Sequence, residues 1–182
     1  MKYAVKDAAK VTSAANAIGL GVQEAALQVY IANRPPLPEY EMLSKLQPMQ
    51  PGDIARIAAE TGNHWRKIFN VYAKLVFALK QAQGRDAGVS RWQDYRDQTL
   101  LQAQGDESLL FSPPDLTQGS ASARLVLAKG YAQALGMNEQ LNWLDESFAV
   151  HTVSGVIICP YFDYRQLSDI KIQRLVRLLQ EG

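Results

Sequence analysis

Four short apolar runs, each stopped by proline or glycine, limit what this chain can fold into more than any other feature. They are L-Q-V-Y-I-A before N-R-P-P-L-P, S-L-L-F-S before P-P-D, R-L-V-L-A before K-G-Y, and V-I-I-C before P-Y-F. Each has strand length and is apolar at consecutive positions rather than at alternate ones, the pattern of strands buried on both faces. Proline has no N–H to give to a ladder and cannot continue a helix, so each stop is a physical one. The first run covers Leu27 to Ala32, and the last ends at Cys159.

Helical patterns separate these runs. In the segment from Asn63 to Ala82, residues Trp65, Ile68, Phe69, Tyr72, Leu75, Val76 and Leu79 recur at helical spacing. Val71, Phe77 and Ala78 widen the apolar arc, which predicts burial on more than one side, and Asn63 is placed to cap the start. Shorter helices are expected from Glu39 to Gln47, from Pro51 to Glu60, from Ser90 to about Gln104, and from Asp169 to Gln180. Residues 1–24 are rich in Ala and Gly and read as a loose helix or a loosely packed leader. With 47% hydrophobic residues a sizeable core can form. The order of elements predicts one three-layer α/β domain over residues 1–182, with a small, mainly parallel sheet of four or five strands and helices on both faces.

In open parallel sheets, ligands bind beyond the carboxyl ends of the strands. The four tails therefore meet on one edge. The last is the densest: Tyr161, Phe162, Asp163, Tyr164 and Arg165 follow Pro160 directly. Asp163 and Arg165 can pair or present a carboxylate and a guanidinium to a ligand, while the aromatics can stack on a base or ring. Asn33 and Arg34, leaving the first run, are expected to approach them. The competing expectation is that Asp163 braces its loop and the aromatics plug the end of the sheet.

Five cations (Arg66, Lys67, Lys74, Lys80, Arg85) lie between Glu60 and Asp86 with no acid among them. Of these Arg66 and Lys67, with His64, sit at the start of the long helix, where an anion such as phosphate would be favoured; a solvated rim is the alternative. His151 reads as structural, and Cys159, within an apolar strand, as a buried small hydrophobe. Two histidines and one cysteine without ligand spacing give no metal site to expect, and the glycine-rich nucleotide and hydrolase motifs do not occur, so no cofactor is implied. A formal charge of +1 supplies no global field for nucleic acid or anionic membrane, so such binding needs a local patch. The single cysteine suits a reducing compartment, and charges at Lys2, Lys6, Asp7 and Lys10 interrupt any signal-peptide pattern; the expectation is cytoplasmic.

The segment R-L-V-L-A-K-G-Y-A-Q-A-L-G (Arg124 to Gly136) resembles the strand-to-helix unit of uracil-DNA glycosylases. There a further strand, a proline-containing loop that enters the minor groove, and a last helix follow, an order similar to V-I-I-C-P-Y-F-D-Y-R-Q-L-S with Pro160, Leu167 and Ser168. The resemblance implies that fold more than an activity. It does not carry the activity across: Cys159 stands where the family has a histidine before the proline, and only Asn33 is available for its water-orienting loop. Y-F-D-Y-R-Q-L-S itself resembles the signature of an uncharacterised bacterial family. The function expected is binding of a nucleobase, nucleotide or nucleic acid without the usual glycosylase residues. The alternatives are an enzyme on a nucleotide or phosphorylated small molecule, with Asp163 as base and Arg165 or Arg34 as anion clamp, and a protein-interaction module using the aromatic edge.

Overall fold

A computed structural model describes residues 16–182. Its elements are β1 (Gly19–Gly21), β2 (Leu27–Tyr30), α1 (Pro38–Glu41), β3 (Leu46–Gln47), α2 (Asp53–Thr61), α3 (Asn63–Ala82), α4 (Trp92–Gln98), β4 (Glu107–Leu110), β5 (Ala123–Leu127), α5 (Lys129–Ala134), β6 (Leu141–Trp143), β7 (Ala149–His151), β8 (Ile157–Cys159) and α6 (Asp169–Glu181). The class is α/β. The sheet has eight strands in the order β3-β1-β4-β2-β5-β8-β7-β6.

The four apolar runs stand side by side at its centre as β4-β2-β5-β8, all parallel to one another. Their side chains alternate between two apolar clusters. Val29, Leu109, Leu125 and Cys159 face the cluster under α2, α3 and α6. Tyr30, Leu110, Val126 and Ile158 face a smaller one closed by Ala132 and Met137. Helix α3 packs on α2, α4 and α6, which buries it on several sides as its wide apolar arc requires.

The expectation of four or five mainly parallel strands is corrected to a mixed sheet of eight. The additions are short: β1 runs antiparallel to β4, and β7 and β6 add an antiparallel edge beyond β8. Within the stretch expected to be a loose helix or leader, Gly19–Gly21 forms β1. A Cβ at Gly19 or Gly21 would collide with the carbonyl oxygens of Leu109 and Glu107, so glycine is what lets β1 close on β4. The rest of that leader, residues 1–15, lies outside the described residues.

Three helix boundaries also shift. The helix expected to reach Gln47 stops at Glu41, because Leu46–Gln47 leaves to pair with β1. The helix expected to reach Gln104 ends at Gln98, and Leu101 takes φ 60 to give its N–H to the buried Glu107 carboxylate at 2.9 Å. Residue Gly62, not Asn63, caps α3, with no side-chain hydrogen bond. Among the described residues no helix is long and apolar enough to cross a membrane.

Candidate functional site

Where β2 and β8 end, two loops turn toward the first turn of α3. Proline residues at 35, 36 and 160 have no N–H to give to a ladder, so strand pairing stops at both exits and the polar residues beside them lie past the sheet. Three groups meet there. The Tyr161 hydroxyl donates to Asn33 Oδ1 at 2.9 Å, His64 Nε2 lies 2.9 Å from the same hydroxyl, and Asn33 Nδ2 lies 3.3 Å from His64 Nε2. The His64 and Tyr161 rings are 5.6 Å apart and tilted. Burial pushes the Tyr161 phenol above its ordinary value, and its bond to Asn33 pulls it partly back. Behind the cluster, Trp65 is buried and fixes the helix start.

A second group lies beside the first. Asp163 Oδ1 accepts the Arg165 backbone N–H at 2.9 Å, and its Oδ2 is 3.4 Å from Lys67 Nζ. The Arg165 amide, then Lys67, hold the Asp163 carboxyl below the usual carboxylate range. Such a carboxylate is ionised and already occupied, which weakens it as a proton acceptor. Lys67 Nζ and the Arg165 guanidinium sit 5.3 and 5.6 Å from the centre of the Tyr164 ring, which is half exposed. Arg66 is exposed on the same helical turn, and that turn carries no acid.

The structure thus brings Asn33, His64, Tyr161, Asp163, Tyr164, Arg165 and Lys67 to one edge, with Arg66 beside them. It does not bring Arg34. That side chain donates to the Tyr40, Glu41 and Leu43 carbonyls at 3.0, 3.1 and 2.8 Å, closing the end of α1, and lies over Phe111. Asp163 meets Lys67 in place of the expected Asn33 or Arg34. Phe162 turns inward, fully buried against Tyr72 at 5.4 Å. His151 is held by Ser154 and Gln140, and Cys159 is buried with its thiol pushed far up by desolvation. No group of three or more potential metal ligands occurs among the described residues.

Two features of this edge were not found from sequence. Ala128, between β5 and α5, has φ 76 and ψ 146, a region that suits glycine and strains alanine. Its amide donates to the Cys159 carbonyl at 2.8 Å, which ties the β5 exit to the β8 exit. Next to it, Lys129 Nζ stands 4.6 Å from the ring centre of the exposed Trp143. Because β6 and β8 are both antiparallel to β7, the Trp143 end of β6 lies on the same side as the Cys159 end of β8. Nothing in the composition of A-K-G-Y-A marks an alanine for positive φ. The Lys129–Trp143 pair is separated by thirteen residues and needs the topology to be seen. Replacing Ala128 with glycine is expected to raise stability by about 1 kcal/mol, relief of strain outweighing the extra chain entropy. Urea midpoints of the two proteins check this, and a less stable variant would show that the residue is not strained.

The profile of a family of unknown function, DUF6942, matches residues 18–180. No curated protein and no solved structure matches the chain.

Proposed function

The chain belongs to DUF6942, a family of unknown function, and from its geometry we propose that the edge around Asn33, His64 and Tyr161 binds a nucleobase-bearing ligand, either a nucleotide or a single-stranded nucleic acid. The observation that carries the reading is the convergence of three distant chain segments on one hydrogen-bonded cluster outside the core. An amide, an imidazole and a phenol at one place offer the donor and acceptor variety that base edges require. On the same side of the sheet, Tyr164 and Trp143 are exposed rings already flanked by cations, suited to stacking on bases with phosphates alongside. A large cavity lined by described residues lies elsewhere, on the second face of the sheet. The edge is therefore read as a surface for an extended or stacked ligand.

The scaffold is proposed to be of the uracil-DNA glycosylase kind. Support comes from the four-strand parallel block and from the proline-containing exit loop leading into the last helix. The activity of that family is not part of the proposal, since Cys159 is buried and Asp163 is occupied. A cytoplasmic setting belongs to the same reading, supported by the single reduced cysteine.

Thermal-shift titrations with nucleobases, nucleoside monophosphates and short single-stranded DNA test it. A ligand that binds only the folded chain stabilises it by about 2.7 kcal/mol at a hundredfold excess over its Kd. At least one class is expected to raise the melting point, with Tyr161→Phe and Tyr164→Ala reducing the shift. No response across the panel would favour the protein-interaction alternative.

A further inference from the structure

The second face of the sheet carries polar groups that the strand edge does not use. The register places Ser108 of β4 opposite Gln28 of β2, and Gln28 opposite Arg124 of β5, so one row of polar side chains crosses three central strands. Above this row opens a cavity of about 830 Å3, a size suited to a small organic ligand. Its wall includes the 112–121 segment, and Ala17, Leu46 and Leu110 add apolar surface. Tyr30 lines it as well and donates from its hydroxyl to Gln28 Oε1 at 3.2 Å, which leaves the Gln28 amide N–H groups for another acceptor.

Two observations ask for a ligand. The Ser108 hydroxyl is buried and has no hydrogen-bond partner among the described residues. Arg124 is only 7% exposed, and its guanidinium donates to the carbonyls of Asp115, Gln118 and Ser154 at 2.7, 2.9 and 2.8 Å. These neutral acceptors fix its position, and among the described residues no carboxylate lies within ion-pairing distance of it. The Asp115 carboxylate accepts from Thr117 and Gln118 and attracts Arg124 only through space, without an ion-pair contact. A buried guanidinium with no carboxylate in contact gains from an anion that reaches it directly.

We propose that this trough binds a small organic carboxylate whose oxygens meet Arg124, Gln28 and Ser108 and whose apolar body lies toward Leu46 and Leu110. Among the described residues of the lining Asp115 is the only acid and Arg124 the only cation, a single guanidinium for a single negative charge on the ligand. A phosphate dianion would lack a second. The site stands apart from the strand edge, so its success or failure leaves the nucleobase reading untouched.

Isothermal titration of the full chain tests this with benzoate, with benzyl alcohol as the neutral counterpart and inorganic phosphate as the competing oxyanion. Saturable benzoate binding is expected, weakened on the order of tenfold or more in Gln28→Ala and in Ser108→Ala and unchanged in Tyr164→Ala. Circular dichroism confirms that each variant is folded, and either one suffices if the other fails to fold. The proposal is overturned if benzoate gives no saturable heat or if benzyl alcohol binds equally well. Tighter binding of phosphate, or full affinity in the folded variants, overturns it as well.

Discussion

Phe162→Ala is expected to lower folding stability by about 3–5 kcal/mol, whereas Tyr164→Ala, two positions along, changes it by no more than about 0.5 kcal/mol. Both residues belong to the same aromatic cluster after Pro160, and the structure divides their labour. Phe162 is fully buried, packs on Tyr72, and sits in the cluster that joins the sheet to α3 and α6. Its removal opens a cavity between elements that cannot collapse, because Tyr72 is itself fixed by donating its hydroxyl to the Ser108 carbonyl at 2.7 Å. Tyr164 faces water between Lys67 and Arg165. Urea unfolding at unchanged m-value reads both effects. A small loss in Phe162→Ala would mean that the loop after β8 is not part of the core.

The second large effect concerns pH. The Glu107 side chain is fully buried at the start of β4, where its carboxylate accepts from the Leu101 amide and the Tyr95 hydroxyl at 2.9 Å each and from the Asp106 amide at 3.2 Å. Desolvation outweighs these bonds and raises the carboxyl from 4.5 to about 7. The folded protein thus holds this proton more tightly than the unfolded chain does. Stability from Glu107 is fully present below pH 4.5 and is lost as pH rises through about 7. At about 1.4 kcal/mol per unit the loss amounts to roughly 3 kcal/mol. Partly buried carboxylates such as Asp94 and Asp163 have lowered values and act in the opposite sense, so wild type alone does not isolate the group. Comparison with Glu107→Gln does. The variant, which cannot ionise there, is expected to gain on wild type by about 3 kcal/mol between about pH 4 and about pH 8. Parallel stability curves would show that Glu107 titrates at its ordinary value.

The central sheet was legible because burial on both faces writes itself as consecutive apolar residues; Leu125, Val126 and Leu127 could hardly be placed otherwise. Helix α3 was legible for the complementary reason, a wide apolar arc at helical spacing. Strands β1 and β3 were not. Gly19 and Gly21 carry no side chain to pattern, and their role, close approach of two backbones, depends on Leu109 and Glu107 far along the chain. Leu46 and Gln47 are too few to show a period. At the edge, the sequence identified the residues that gather there but not their pairing. Arg34 looked like an anion clamp, yet three backbone carbonyls within ten residues hold it more closely than any ligand need. The polar row on the second face escaped notice because Ser108, Gln28 and Arg124 are aligned only by strand register.

That the strand edge is a nucleobase site is tested most directly by resolving where a bound strand touches the protein. In heteronuclear NMR titrations with short single-stranded DNA, the Asn33 side-chain amide, the His64 ring and the Tyr161 and Tyr164 rings are expected to move together and saturate. Tyr161→Phe, which removes the hydroxyl shared by Asn33 and His64, is expected to weaken binding on the order of tenfold while leaving the fold intact. Saturating shifts confined to other surfaces, or affinity unchanged in both Tyr161→Phe and His64→Ala, would contradict the account and leave the cluster as a brace between the sheet and α3.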